Sequence, residues 1–276
     1  MRLSISTLPF REWEPEKVLE FCARFGYEAI EIRMDYHTWS MLDAPDSHYQ
    51  GLYEQIRTKG LCVSNLGSGI VLGCWQESAL QELRRCFEIA DLLQTKGVRI
   101  MLGYVRKTQD TPKKALDLPG IERWLLQADQ MAERLDKEVW IETHNEFSSG
   151  RSLAQLIDAL GLRHVRVIWD VMHPLEVGET VEQTVQILGE RLVHVHIKDG
   201  LPWNDPNMLI WKYTKIGQGE IPLQKIIALL QAKGYNGYYS LEWESAWRPE
   251  LTVLHCDQQE MEQYPQTMKM LLQNRS

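Results

Sequence analysis

Four short runs in the second half of the chain end in side chains able to carry protons or hold a metal ion. VWIETH brings Glu142 and His144, VIWDVMH brings Asp170 and His173, LVHVHIKD brings His194, His196, Lys198 and Asp199, and YYSLEWE brings Glu242 and Glu244. Carboxylates and imidazoles are common ligands of divalent ions, and paired carboxylates are common agents of proton transfer. Each group also has a plainer reading. Asp170 with His173 alone would be a helix cap or a local hydrogen bond, and His194 a core histidine with a partner. Lys198 and Asp199 could form an ion pair at the mouth of a site or contact a substrate, and Glu244 reads as a supporting residue beyond a strand end. Alternation sharpens the picture, because neighbours along a strand point to opposite sides. Glu142 and His144 then share a face with Trp140, and His194, His196 and Lys198 share another. Polar groups turned into an apolar interior are costly unless paired or coordinated. Four of them converging from neighbouring strands make sense around a divalent ion.

The elements that must position these residues are short β-rich runs at 3–7, 29–33, 61–65, 98–102, 139–143, 165–169, 192–197 and 238–243. Segments of helical period separate them. Leu223, Ile226, Ile227 and Leu230 form one buried stripe, and Leu80, Leu83, Phe87 and Ala90 form another in a long helix near 76–95. Pro15 and Pro222 sit where first helical positions would fall, and Gly26 and Gly234 where left-handed caps would fall. A final helix is expected to start at Pro265 and to bury Met268, Leu271 and Leu272. Nothing in the composition divides the chain, so residues 1–276 read as one domain. Strict alternation of eight strands with helices points to the α/β class and a closed (β/α)8 barrel, with an open doubly wound sheet as the alternative. In such a barrel the chemistry lies at the carboxyl ends of the strands, where the four runs end.

Charge and cysteine usage exclude other classes. The formal net charge of −8, not gathered into a tail, argues against nucleic acid as a partner, since phosphate binding needs a clustered basic surface. Five cysteines without a CxxC pair suit a reduced, cytoplasmic protein, with Cys22, Cys62 and Cys86 expected to be buried; Cys74 and Cys256 complete the set. MRLSISTLPF reads as a first strand rather than a signal peptide, and no apolar run approaches the roughly 18 residues of a membrane helix. The expected partner is a small molecule, with a homo-oligomer possible. The turn GQGE, Gly217 to Glu220, lacks the Lys and Ser/Thr of a phosphate loop. Trp13, Trp39, Trp203 and Trp247, in or near loops after strands, could wall a small-molecule site.

The runs IETHNEF, WDVMHP, HVHIKD and GQGEIPLQKIIALLQAKGYNGYYSLEWE, with GYEAIEIR nearer the start, resemble the xylose isomerase-like sugar isomerase/epimerase family of (β/α)8 barrels. The resemblance implies one divalent ion, manganese first and magnesium, cobalt or zinc otherwise, held by Glu142, Asp170, His196 and Glu242. It also implies Glu142 and Glu242 as the proton-transferring pair, acting through a metal-stabilised enediolate. His173, His144, Lys198 and Asp199 would reach the substrate, and Lys198 would be the next candidate base. The chain departs from the ketose epimerases at Leu201 to Trp203, where they carry an arginine. A dehydratase of an inosose-like polyol ketone is therefore the alternative, and a non-catalytic sugar-binding barrel a third reading. A related DNA-repair endonuclease with three zinc ions needs histidines that IRMDYH, VSNLGSG, MLGYVRK and LPWNDPNMLIWKY do not supply in place.

Overall fold

The eight apolar runs become eight parallel strands of one closed barrel in the computed structural model, which describes residues 1–106, 108–112, 114–253 and 257–273. In chain order these are β1 (Arg2–Ser6), β2 (Ala29–Arg33), β3 (Cys62–Leu72), β4 (Gly97–Leu102), β5 (Glu138–Glu142), β6 (Val165–Asp170) and β7 (Leu192–Ile197). A short antiparallel pair follows, β8 (Gly200–Pro202) with β9 (Trp211–Tyr213), and β10 (Tyr238–Leu241) closes the barrel between β7 and β1. Each parallel crossover runs through a helix: α1 (Pro15–Phe25), α2 (Asp46–Thr58), α3 (Glu77–Leu92), α4 (Leu118–Leu135), α5 (Gly150–Leu160), the short α6 (His173–Glu176) with α7 (Val181–Leu188), and α8 (Leu223–Ala232). After β10 come α9 (Pro249–Thr252) and α10 (Asp257–Gln273).

The core is a layer of apolar side chains between barrel and helices. Val98, Ile100, Val139, Ile141, Val165, Val167, Val195 and Ile197 are fully buried, as are Leu83, Phe87, Leu125 and Leu153 from the helices. Residues of opposite parity fill the barrel itself, and many are polar: Ser4, Glu31, Ser64, Arg99, Glu142, Asp170, His194, His196 and Ser240 are buried. Many of these polar groups pair with one another, and those left without a partner lie at the site described below.

Local structure differs from expectation at several points. The third strand runs well past 61–65 because it absorbs two irregularities in register, against β2 at Ile30/Glu31 and against β4 between Gly67 and Val71. Pro222 is the residue before α8 rather than its first, whereas Pro15 does open α1 and Gly26 caps it with φ 87°. Cys22 and Cys86 are buried, but Cys62 is exposed, because it is the first residue of β3 at the barrel's amino end. Cys256 lies outside the described residues. The last helix begins at Asp257 and carries Pro265 inside it. A proline there removes the hydrogen bond to the carbonyl of Met261, and the Tyr27 hydroxyl donates to that oxygen instead, at 2.6 Å. Among the described residues no helix is long and apolar enough to cross a membrane.

Candidate metal centre

Barrel register brings the four runs to one end of the interior. Glu142 and Asp170 are the last residues of β5 and β6, His196 is the penultimate residue of β7, and Glu242 follows β10. Each offers one ligand atom, and the four atoms lie within 4.8 Å of one another, all on buried side chains. His196 Nδ1 is 3.2 Å from Glu142 Oε1 and 3.1 Å from Glu242 Oε2. Asp170 is fixed from behind: Met172 N donates to its Oδ1 at 2.9 Å, and its backbone N–H donates to Thr143 Oγ1 at 3.0 Å.

Two oxygens of the set are left over. Asp170 Oδ2 and Glu242 Oε2 are buried and have no aligned hydrogen-bond partner. Lys198 Nζ stands 2.7 Å from the first and 2.6 Å from the second, but off the hydrogen-bonding directions, so these are charge contacts. Buried carboxylate oxygens without aligned donors, facing one imidazole nitrogen, form a donor set that fits a divalent cation.

Electrostatics keep Glu142 and Glu242 ionised. Burial raises the pKa of Glu142, and Glu242 adds to that, but His196 and Arg99 outweigh both and bring it to about 2. Glu242 is likewise held well below the usual range, because His196 and Lys198 overcome its burial. Burial disfavours the Lys198 ammonium, yet Asp170, Glu242 and Glu244 hold it firmly charged. That environment makes Lys198 a poor base, which counts against its place as the next candidate base. His173 is pressed toward the neutral form by burial and toward the charged form by Asp170 and Glu176; the carboxylates prevail at about 9. Its Nε2 is 3.4 Å from Asp170 Oδ2 and its Nδ1 3.3 Å from Glu176 Oε2. The His144 ring packs on His173 with centroids 4.3 Å apart, and burial lowers its pKa.

Asp199 is placed differently. Its carboxylate accepts backbone N–H groups of Gly200 at 2.9 Å, Gly217 at 2.8 Å, Gly219 at 3.0 Å and Ile221 at 3.2 Å. It therefore pins the GQGE turn to the end of β7, and that turn's amides are spent on Asp199 rather than on a phosphate. Glu244 bridges Lys198 at 3.4 Å and Arg248 at 3.0 Å. Of the four tryptophans, Trp39 is buried and stacked on His37, Trp13 packs on Phe10 and Phe21, Trp203 lies under Lys212, and Trp247 is exposed beside Tyr36.

Several residues of the site were not singled out from the sequence. Glu31, on β2, takes His196 Nε2 at 3.0 Å, His194 Nε2 at 3.1 Å and the Ser240 hydroxyl at 3.4 Å on one oxygen. His194 is thus the partnered core histidine expected through Nε2, while its buried Nδ1 has no partner. Arg99 of β4 donates to Glu142 Oε2 at 3.1 Å. Tyr213 of β9 lies under Arg248, whose Nη2 donates to its hydroxyl at 3.0 Å. Glu31 and Arg99 occupy inward positions of AIEIR and VRIML, and the alternation argument applied to those two runs would have marked them.

Comparison with known proteins places the chain among barrels of the same fold. The family model described as xylose isomerase-like TIM barrel matches residues 19–273. The chain is 23% identical over 254 residues to an inosose isomerase of Bacillus velezensis, covering 87% of this chain and 86% of that protein. It is 26% identical over 256 residues to a 3-dehydroshikimate dehydratase of Pseudomonas aeruginosa, covering 88% of this chain but 38% of the longer relative. A crystal structure of the IOLI protein with a bound zinc atom superposes with a TM-score of 0.75 at 20% identity, over 98% of this chain and 96% of that one.

Proposed function

The chain belongs to the xylose isomerase-like TIM barrel family, and on that premise we propose that it is a divalent-metal-dependent isomerase or epimerase of a sugar or sugar phosphate. The observation that carries this reading is the convergence of Glu142, Asp170, His196 and Glu242 on one point of the barrel's carboxyl end. A divalent ion held by these four would supply Lewis acidity, polarising a substrate carbonyl and acidifying the adjacent C–H. Manganese or magnesium suits the oxygen-rich set at least as well as cobalt or zinc.

The chain's own residues do the rest. Glu142 and Glu242, ionised and approaching from either flank of β7, are the pair that takes the proton from carbon and returns it. Glu31 accepts from His196 Nε2 and so aims Nδ1 at the carboxylates, where a bound divalent ion would take the place of the Nδ1 proton. His173 and Lys198, both held cationic, face developing negative charge on substrate oxygen, and His144 orients the His173 ring. Asp199 acts indirectly, by fixing the loop beside Lys198.

A second reading has its own support. The same cationic donors could protonate a departing hydroxyl, which would make the protein a dehydratase of a polyol ketone, and one relative is a dehydratase. One experiment separates the readings: incubation with ketoses, their phosphates and an inosose in deuterated water, followed by NMR. Deuterium beside the carbonyl with the oxygen count unchanged supports the isomerase or epimerase. Loss of water supports the dehydratase, and no exchange in any compound counts against both.

A further inference from the structure

Two guanidiniums lie on the wall of this site, and of the two only Arg99, through Glu142, touches the groups of the mechanism. Arg33 ends β2, Arg99 lies on β4, and both are in register with Gly67 of β3 between them. The missing side chain makes room: a Cβ on Gly67 would stand 3.1 Å from Arg99 Nη2 and 3.5 Å from Arg33 Cδ. Burying two like charges side by side is costly unless anions compensate them. Arg99 has Glu142, but its Nε is buried without a partner. Among the described residues no carboxylate lies within ion-pair distance of Arg33. Its guanidinium donates through Nη1, to the carbonyls of Gly67 at 2.7 Å and of Ser68. Burial, and then Arg99, pull its pKa down to about 10 against the opposing pull of Glu142, Glu242 and Glu31. Those carboxylates are already engaged, Glu142 and Glu242 by His196 and Glu31 by His194 and His196.

We propose that Arg33 and Arg99 form an oxyanion subsite beside Glu142 that takes a carboxylate or phosphate group of the substrate. The inference rests on the reading of the site as one that transforms a sugar, and it narrows the substrate class to acidic sugars or sugar phosphates. Planar guanidiniums with spare parallel N–H groups match carboxylate and phosphate oxygens, and an anion between them turns their repulsion into attraction. Arg33 is partly exposed, so a ligand can reach it, whereas Arg99 is enclosed. A purely structural role would confine Arg33 to clipping the Gly67 and Ser68 carbonyls where β3 shifts register.

Calorimetric titration of the full chain at low salt distinguishes the two, with D-fructose, D-fructose 6-phosphate, 5-keto-D-gluconate and inorganic phosphate as probes. At least one anionic keto sugar should bind at least about tenfold more tightly than D-fructose, the scale of a charge-assisted pair. Which of the two binds more tightly identifies phosphate or carboxylate as the natural group. Arg33→Met should abolish that advantage with D-fructose affinity and metal content unchanged. Arg33→Lys, which keeps the charge without the fork, should fall between, and it carries the comparison if the Met variant does not fold. Equal binding of D-fructose and both anionic sugars by the unaltered protein overturns the subsite, as does a preference that survives in the Lys variant at full strength. Binding of inorganic phosphate that is the same in the variant also counts against it. Because binding is read separately from deuterium exchange, an anion preference without exchange in any compound would sink the catalytic reading and leave the subsite standing.

Discussion

On the proposed reading, Glu142 and Glu242 combine two demands at the residue scale, each holding an ion and moving a proton. Replacing either with Gln keeps size and one oxygen but removes the basic carboxylate. Each variant should lose roughly 10²- to 10⁴-fold in deuterium exchange, about 3 to 5 kcal/mol, even when saturated with metal. Near-normal exchange in a metal-replete Gln variant would place the base elsewhere. Glu31→Gln should leave the ligands in place while weakening ion affinity about 10- to 100-fold, because His196 loses the acceptor that orients it and raises its basicity. A metal titration by calorimetry reads this without any substrate, and unchanged affinity would deny Glu31 that role. The residues at strand ends were legible in the sequence because metal-ligand types recur there in four successive motifs. Glu31, Arg33 and Arg99 were not, because they lie inside runs read only as strands. Which face of such a run lines the barrel is settled by closure rather than by local composition.

At the scale of elements, the last helix shows how tertiary contacts override a local rule. Pro265 looked like a start because a proline fits the first turn, where its missing N–H is not needed. In α10 it sits in the interior, and the carbonyl it leaves free is taken by Tyr27, just beyond α1, across the seam where chain start and chain end meet. Tyr27→Phe should therefore cost about 1 to 3 kcal/mol in urea unfolding, the penalty of a buried acceptor left unmade. A loss below a few tenths of a kcal/mol would mean that this bond does not hold α10. The loop between β2 and α2 carries a pH effect of its own. His37 is buried against Trp39, and burial lowers its pKa to about 4, only partly offset by the backbone of Arg11 and Thr7. A histidine kept neutral by the fold stabilises it above the unfolded pKa near 6.5, and that contribution is lost as pH falls through about 4. Melting temperatures of the unaltered protein should thus fall more steeply between pH 6.5 and 4 than those of His37→Phe. Parallel curves would contradict it. Strand count and order were legible because β-rich runs alternate with helical stripes eight times. The length of β3 was not, because its two register shifts depend on neighbouring strands.

The whole molecule concentrates charge in its centre. Glu31, Glu142, Asp170, Glu242 and Glu244 surround His196 and Lys198, with Arg99 at the side, in an interior that most barrels of this kind fill with apolar layers. A fold built around such a cluster should be stabilised by the cation it fits. Manganese at about a hundred times its dissociation constant should add roughly 2.7 kcal/mol, read as a higher melting temperature that chelator reverses. The central claim, that Glu142, Asp170, His196 and Glu242 together hold one divalent ion, is tested most directly by elemental analysis of protein purified without chelator, beside a folded His196→Ala variant. About one equivalent per chain in the first and little in the second is the predicted result; equal metal content in the two would contradict it.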